Sequence, residues 1–336
     1  MKNKIFTIVV LWLLGSMIGP LPFPAHGQTK AGSIEKVRFA DGNFIVSAAV
    51  YVAREKGFFK QEGLEVSWLH FLSGKEALET VVNGKADLAT VADTPIALQV
   101  MKGARIYVLA TLSGLVNLYG IAARKDLGVS SLADLQGKKI GVTLGTNAQF
   151  ILDSFLLYYQ VPVDKIRLID LRPEEMAEAL GSGQVQAVTS WEPFLSDIKI
   201  RLGEKALFFY DDRVLIYRLT WNLAAGQDFV RKNPETVKKV LRALLKAEDF
   251  IRENRAEARR ITARYLGSDK GEFNKLWNTY RSEISLNPLL IENLESQTRW
   301  AIRNNPAAKK EVPNFLRYIY FEGLEALKPE AVTIVH

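Results

Sequence analysis

The chain has 336 residues, of which 48% are hydrophobic and 24% are charged, an ordinary balance for a globular protein. Its formal net charge is +7, and basic residues such as Lys238, Lys239 and Arg242 alternate with apolar positions as on a solvated helix face. We therefore expect no nucleic-acid partner. The sequence contains no cysteine, which excludes disulfides, thiolate catalysis, cysteine-ligated metals and lipid attachment at an N-terminal cysteine.

The N-terminus has the pattern of an export signal. Two lysines precede a mostly apolar run from residue 5 to 18, and prolines from residue 20 onward interrupt this run. The run is shorter than the about 20 residues that a membrane-spanning helix needs. We expect cleavage after Gly27, so that residues 1–27 are a signal peptide and the rest is a soluble protein of the periplasm or another extracytoplasmic space.

The chain then alternates short β-rich runs with helices of 3.6-residue apolar periodicity, which predicts α/β lobes with mostly parallel sheets. The predicted strands lie at residues 36–39, 64–71, 88–92, 119–123, 139–142, 166–171, 185–191 and 217–224. The predicted helices lie at residues 44–56, 73–84, 95–103, 148–159 and 173–180. After about residue 233 the sequence is almost wholly helical.

An internal similarity relates residues 76–95 to residues 175–193 at an offset of 99 residues. In each segment a helix ends at a glycine, a strand of small residues follows, and a carboxylate, Asp93 or Glu192, comes next. Two lobes with equivalent edges would produce this pattern. Convergence would produce it too, because a helix, a glycine and a strand often follow one another in α/β proteins.

The two carboxylates suggest a binding site. Ligands of open α/β sheets lie beyond the carboxyl ends of the strands, where helix N-termini present free N–H groups. Asp93 and Glu192 occupy equivalent strand ends, so we expect them to face one another across a cleft. A ligand with N–H donors or a positive charge would satisfy both, whereas a bare oxyanion would meet them unfavourably.

Other residues at these strand ends have alternative roles. Helix capping accounts for Asp93, Thr94 and Asn147 at least as well as ligand contact does. Phe44 and Trp191 offer flat apolar walls for a ring. For Tyr119 and Trp221, packing in the hydrophobic core is a better explanation than a place in a ligand-binding wall.

Enzyme chemistry finds little support in the sequence. His70 lies in an apolar strand and His336 is terminal, so neither has metal-ligand spacing. The glycines match neither a phosphate-binding loop with its lysine nor a dinucleotide fingerprint. We therefore expect no enzyme, no cofactor and no metal site.

Several segments together resemble a known family. YVAREKGFFK (51–60), EGLEV (62–66), GKADLA (84–89) and SLADLQGKKIGV (131–142) precede Trp191-Glu192-Pro193 in the order typical of ABC-transporter solute-binding proteins of the sulfonate, taurine, nitrate and thiamine-pyrimidine type. The resemblance covers roughly residues 34–255. One branch of these relatives makes a thiamine pyrimidine with the help of a cysteine-rich motif, which this chain lacks.

The resemblance implies a type 2 periplasmic binding protein fold, in which two α/β lobes joined by a two-stranded hinge enclose the ligand. It implies that lobe 1 comprises residues 34–122 and 219–330 and that lobe 2 comprises residues 123–218. The pocket implied by the resemblance consists of Asn43, Phe44, Ser47, Ser73, Asp93, Thr94, Thr146, Asn147, Trp191 and Glu192.

The leading hypothesis is therefore a monomeric solute-binding component of an ABC importer, which delivers a small organic molecule to an inner-membrane permease. The carboxylate pair favours a nitrogen-bearing or heteroaromatic ligand over a sulfonate-like one. Two alternatives stay open at this point. One is a secreted enzyme acting on a small heterocycle, and the other is an exported domain that senses a ligand without transport.

Overall fold

The computed structural model describes residues 34–116, 118–210, 217–267, 271–305 and 311–336. The predicted signal peptide, residues 1–27, lies outside the described residues. Within the described ranges, we find no helix that combines the length and the apolar character required to cross a lipid bilayer.

Strands and helices alternate along the first two thirds of the chain. The strands are β1 (Glu35–Gly42), β2 (Leu64–Phe71), β3 (Leu88–Ala92), β4 (Ile106–Leu115), β5 (Tyr119–Arg124), β6 (Lys139–Val142), β7 (Arg167–Asp170), β8 (Ala187–Trp191), β9 (Ala206–Phe209), β10 (Leu219–Gly226) and β11 (Arg281–Ser285). The helices are α1 (Ala48–Glu55), α2 (Phe58–Gln61), α3 (Gly74–Val82), α4 (Asp93–Met101), α5 (Asn147–Tyr158), α6 (Met176–Ser182), α7 (Phe194–Leu202), α8 (Gln227–Lys232), α9 (Pro234–Glu253), α10 (Arg255–Leu266), α11 (Glu272–Thr279), α12 (Pro288–Asn304) and α13 (Phe321–Glu325).

The strands form two sheets of matching topology. The first sheet has the order β11-β4-β10-β3-β1-β2, and the second has the order β7-β6-β8-β5-β9. In reverse order the second sheet is β9-β5-β8-β6-β7. These strands occupy the same places as β4, β10, β3, β1 and β2 of the first sheet, respectively. Both sheets are mixed rather than mostly parallel, because β10 and β11 in the first sheet and β5 in the second run against the other strands. Among the described strands, four pairings are parallel and five are antiparallel.

The reversed strands β5 and β10 follow from how the chain passes between the sheets. Only three residues separate β4 from β5, so the chain leaves the carboxyl end of one strand and enters the second sheet at once. A chain that enters a sheet at the carboxyl edge of its parallel strands must run against them. β10 enters the first sheet in the same way after β9.

The internal similarity in the sequence corresponds to equivalent places in the two sheets. β3 lies between a parallel neighbour, β1, and the reversed strand β10, and β8 lies between parallel β6 and reversed β5. The ends of β3 and β8 are also 99 residues apart. Gly84 and Gly183, which end the preceding helices, both have positive φ angles, of 69° and 80°, which favour glycine.

The structure differs from the sequence analysis at three strands and one boundary. β4 was missed because it is buried on both faces and shows no polar alternation, while β9 and β11 are short edge strands. The lobe boundary predicted after residue 122 falls inside β5. Since β5 pairs along its length with β8 and β9, the chain reaches the second sheet before Tyr119.

Gly74, at the start of α3, packs closely against β3, and this close approach predicts how a substitution there changes stability. A methyl group on Gly74 would lie 2.9 Å from the backbone Cα of Val91 and 3.0 Å from the Trp221 ring, closer than real contacts allow. We expect Gly74→Ala to lower the free energy of unfolding by about 1–3 kcal/mol through overpacking. Urea denaturation measures the loss. Gly226→Ala is the matched control, because its methyl would meet only Val81 at 4.0 Å, and equal stability of the two variants would contradict the prediction.

Candidate functional site

A cavity lies where the carboxyl ends of the two sheets meet, and we call it the first cavity. From the first sheet and the helices that follow its strands come Phe44, Ser73, Gly74, Lys75, Ala92, Pro95 and Trp221. From the second sheet and the segments flanking its strands come Leu118, Tyr119, Thr146, Asn147 and Trp191. The cavity volume is about 20 Å³, close to what one water molecule needs, so the two walls nearly touch.

Three helices begin at the first cavity. Residues from the N-terminal ends of α3, α4 and α5 line it. The first-turn N–H groups of a helix have no acceptor within the helix, and the helix dipole adds a partial positive charge there. Ser73 caps α3 by accepting a hydrogen bond from the Glu76 N–H at 3.2 Å. The cavity wall therefore presents backbone donors and favours a negatively charged group.

Lys75 adds a full positive charge to this wall. It lies in the first turn of α3, and its side chain reaches the loop of the second sheet, since a methyl group on Gly145 would lie 3.7 Å from Lys75 Cε. Among the described residues, no carboxylate forms an ion pair with Lys75. The ammonium group is thus available to an anion in the first cavity.

Aromatic side chains form the rest of the wall. The Phe44 ring packs edge-on against Trp191 and Trp221, with centroids 6.0 Å and 5.2 Å apart. Trp191 is only 4% exposed, and its indole N–H finds no acceptor among the described residues. Buried donors are nearly always satisfied, so an unpaired donor in a cavity wall indicates a place for a ligand acceptor.

Asp93 lies beside the first cavity but is occupied by protein donors. Its Oδ1 accepts hydrogen bonds from the Thr94 N–H, Asn147 Nδ2, Gln297 Nε2 and the Tyr217 hydroxyl. Its Oδ2 accepts from Asn293 Nδ2 at 2.7 Å and from the N–H and hydroxyl of Thr220. The donors come from α5, α12 and β10, so this carboxylate joins elements of both sheets.

Glu192 has a different environment. It is 6% exposed and accepts hydrogen bonds from the Ser196 N–H at 3.1 Å and from the Tyr210 hydroxyl at 3.5 Å. Burial raises the pKa of this carboxyl group. It lines a separate, second cavity and not the first one.

The expectation that Asp93 and Glu192 share one cleft is therefore wrong. The side chain of Asp93 is held by α5, α12 and β10, whereas that of Glu192 is held by α7 and Tyr210. Neither carboxylate lines the first cavity, so an oxyanion there would not contact them directly. The charge of Asp93 still acts on the cavity wall, since burial raises the pKa of Tyr119 and Asp93 contributes to this rise.

The remaining predicted residues divide into two groups. Phe44, Ser73, Thr146, Asn147 and Trp191 line the first cavity. Asn43, Ser47 and Thr94 do not: Asn43 accepts a hydrogen bond from the Tyr51 hydroxyl, and Ser47 and Thr94 are fully buried. The sequence analysis missed Lys75, although its place directly after Ser73 and Gly74 at a strand end was a usable signal. Core packing was the preferred explanation for Tyr119 and Trp221, and both do pack with the core, but both also line the cavity.

Trp221 is positioned by a buried carboxyl group. Its indole Nε1 donates to the Ser47 hydroxyl at 2.9 Å, and that hydroxyl donates to Asp41 Oδ1 at 2.8 Å. The Thr90 hydroxyl donates to the same oxygen, while Asp41 Oδ2 has no partner among the described residues. Desolvation raises the pKa of Asp41 to about 7, and the Thr90 and Ser47 hydroxyls oppose this rise.

Asp41 should make stability depend on pH. Because its pKa is raised from 3.8 to about 7 on folding, the folded protein binds the proton more tightly, and stability falls as pH rises between these values. We expect a loss of up to about 4 kcal/mol from pH 4 to pH 8, which Asp41→Asn removes while keeping the acceptor oxygen. Urea denaturation of both proteins across this range measures it, and identical pH profiles would contradict the prediction.

Loss of the Asp93 charge should be costly. We expect Asp93→Asn to lower the free energy of unfolding by about 3–5 kcal/mol, because the asparagine NH₂ group must face the donors on one side of the buried site, either Asn293 or Gln297. Glu178→Gln, on an exposed position of α6, is the control. Chemical denaturation of both variants measures the difference, and a loss below 1 kcal/mol for Asp93→Asn would contradict the role assigned to this network.

Comparison with known proteins places the chain in a family. The NMT1/THI5 like family model matches residues 45–258. A binding protein of Brucella abortus is 29% identical over 227 residues, covering 65% of this chain and 67% of that protein. A Bacillus subtilis protein named as an aliphatic sulfonates-binding protein is 26% identical over 247 residues, covering 72% of this chain and 73% of that protein.

Solved structures share the fold. The alkanesulfonate-binding protein of Xanthomonas axonopodis pv. citri, bound to MOPS, superposes with a TM-score of 0.72 at 19% identity and covers 86% of this chain and 99% of that one.

Two further matches are enzymes. A 4-amino-5-hydroxymethyl-2-methylpyrimidine phosphate synthase of Aspergillus parasiticus is 26% identical over 225 residues, which is 61% of this chain and 62% of that protein. A desulfurization enzyme has a TM-score of 0.60 at 18% identity, covering 87% of this chain and 98% of that one. Because the family match spans more than half of the chain, the protein belongs to the NMT1/THI5-like family, with the periplasmic binding protein fold that its sequence resemblance implied.

Proposed function

We propose that the protein is the extracytoplasmic solute-binding component of an ABC importer and that it holds the anionic head of an organosulfonate in the first cavity. The observation that carries this proposal is the convergence of three helix N-termini, the Lys75 ammonium group and the unpaired Trp191 N–H on one cavity. Each of these groups donates hydrogen bonds or carries positive charge, and a sulfonate offers three acceptor oxygens that share one negative charge.

The ligand class follows from the chemistry of the wall. An anion in the first cavity would not contact the oxygens of Asp93, because protein donors occupy both of them, and the Lys75 ammonium group would offset the remaining repulsion. Phe44, Trp191 and Trp221 supply an apolar surface for the carbon atoms next to the head group. The sulfonates named for the Bacillus subtilis relative fit this combination of donors and rings.

Binding requires the lobes to separate. The first cavity has room for about one water molecule, so the walls must move apart before a sulfonate reaches them. In this proposal the hinge lies where the chain crosses between the sheets, near residues 119–124 and 218–224, as the family resemblance implies. Contacts made to both lobes at once would then favour the closed form, which the permease would recognise.

A thermal-shift screen with calorimetry on the mature protein tests the proposal. We expect alkanesulfonates to raise the melting temperature, since a ligand at 100 times its dissociation constant adds about 2.7 kcal/mol. Alkylammonium ions of equal length should not do so. Lys75→Met should weaken sulfonate binding about 10-fold to 100-fold, the range expected for a charge-assisted hydrogen bond.

The matched control is Lys60→Met, which removes an exposed lysine from α2, at the amino end of β2 and away from the first cavity. It should bind sulfonates like the unchanged protein. The proposal fails if no sulfonate shifts the protein, or if Lys75→Met and Lys60→Met bind sulfonates equally well.

A further inference from the structure

A third cavity lies on the other side of the molecule from the second one. The second cavity, which Glu192 lines, opens between α7 on one side and α10 and α11 on the other. The third cavity has a volume of about 370 Å³, and its walls come from the C-terminal halves of α4 and α12 and from α5. This volume lies within the range of about 300–1,000 Å³ that is typical of small-molecule sites.

The sheet topology separates the two cavities. The connections β1-α1-β2 and β3-α4-β4 each join parallel strands, but they cross the first sheet in opposite directions. Such connections are right-handed, so α1 and α4 lie on opposite faces of this sheet. Because α10 packs on α1 and α12 packs on α4, the second cavity opens on one face and the third cavity on the other.

Apolar side chains form one part of the third cavity. Leu98 and Met101 of α4 and the Trp300 ring of α12 line it. Trp300 is 5% exposed, and its indole Nε1 donates to Asp153 Oδ2 at 2.8 Å, which fixes the position of the ring. Asn304 donates to the same oxygen at 2.7 Å, and Asp153 itself does not line the cavity. The third cavity therefore offers a rigid aromatic surface to a flat apolar group.

Hydrogen-bond donors form the other part. Among the described residues that line the third cavity, Lys102 alone is charged, and no carboxylate of the described chain forms an ion pair with it. The Gln149 side chain of α5 uses its Oε1 to accept the Gly145 N–H at 2.8 Å, which leaves its Nε2 free to donate elsewhere. An ammonium group and an amide NH₂ group are complementary to a carboxylate.

We propose that the third cavity is a second small-molecule site, which binds an aromatic monocarboxylate with its carboxylate at Lys102 and Gln149 and its ring against Trp300. Such a ligand contacts α5, which follows the second sheet, as well as α4 and α12, which pack on the first. It therefore favours the present spacing of the two lobes, in which the first cavity is nearly closed. This regulatory effect rests on the proposed function, because closure is what a ligand in the cleft would also favour.

The test begins with three indoles that differ in charge. Indole-3-acetate is an anion, indole-3-acetamide is neutral and tryptamine is a cation, and calorimetry measures the affinity of each for the protein. We expect indole-3-acetate to bind at least about 10-fold more tightly than indole-3-acetamide, as for a hydrogen bond to a charged group. Tryptamine should bind most weakly.

Two variants locate the bound indole. Lys102→Met changes an exposed residue and should remove the advantage of indole-3-acetate, while the affinity for indole-3-acetamide changes less than about 3-fold. Lys60→Met, on α2 at the opposite face of the first sheet, is the matched control and should keep the advantage. Ala301→Phe fills part of the third cavity and should weaken all three indoles at least about 10-fold. Circular dichroism checks that this variant keeps its fold.

The sign of the coupling to the cleft is a second readout. Saturating indole-3-acetate should raise the affinity for octanesulfonate about 5-fold or more, and octanesulfonate should raise the affinity for indole-3-acetate by the same factor. Competition between the two molecules would place the indole in the cleft and overturn the proposal. Two independent affinities would overturn its regulatory part.

The remaining outcomes keep this proposal distinct from the proposed function. The third-cavity site is refuted if indole-3-acetate does not bind, or if the Lys102→Met and Ala301→Phe variants bind it as tightly as Lys60→Met does. If indole-3-acetate binds through Lys102 and no sulfonate binds the protein, the site stands and the proposed function fails.

Discussion

The buried carboxylate of Asp93 is the group on which the arrangement of the cleft depends. A charged group fully removed from water must be surrounded by donors, and here they come from α5, β10 and α12, which are far apart in the sequence. A second carboxylate, Asp153 on α5, accepts hydrogen bonds from Trp300 Nε1 and Asn304 Nδ2 of α12 at 2.8 Å and 2.7 Å. Together the two carboxylates connect α5, the helix that follows β6 of the second sheet, to β10 of the first sheet and to α12.

This constraint also affects the first cavity. Because protein donors occupy both oxygens of Asp93, the positive groups that line the cavity are the N-termini of α3 and α5 and the side chain of Lys75. The equivalent residue of the other lobe, Glu192, lacks such a set of donors. Two carboxylates at corresponding strand ends therefore have different environments: protein donors surround Asp93 beside the first cavity, and Glu192 lines the second cavity.

The sequence predicted the alternation of strands and helices, because β2, β3 and β6 carry clear apolar runs bounded by turns. It predicted the family from motifs in those segments. The rule that ligands lie at the carboxyl ends of strands, together with the family resemblance, located five residues of the first cavity. The sequence did not reveal in which direction each side chain points. The donors of Asp93 lie up to 204 residues away, at Gln297, so nothing local distinguished a satisfied carboxylate from one that faces a ligand. Lys75 was missed although its place directly after Ser73 and Gly74 was a usable signal, because a single lysine in a helix usually faces solvent.

A crystal structure of the protein grown with an alkanesulfonate is the most direct measurement of the proposed anion site. The sulfonate oxygens are predicted to lie in the first cavity, within hydrogen-bonding distance of the Trp191 indole N–H and of first-turn N–H groups of α3 or α5, with Lys75 beside them. Asp93 should keep its protein donors in that complex. A sulfonate group bound in the second cavity, or a ligand that displaces the donors of Asp93, would contradict the anion site described for the first cavity.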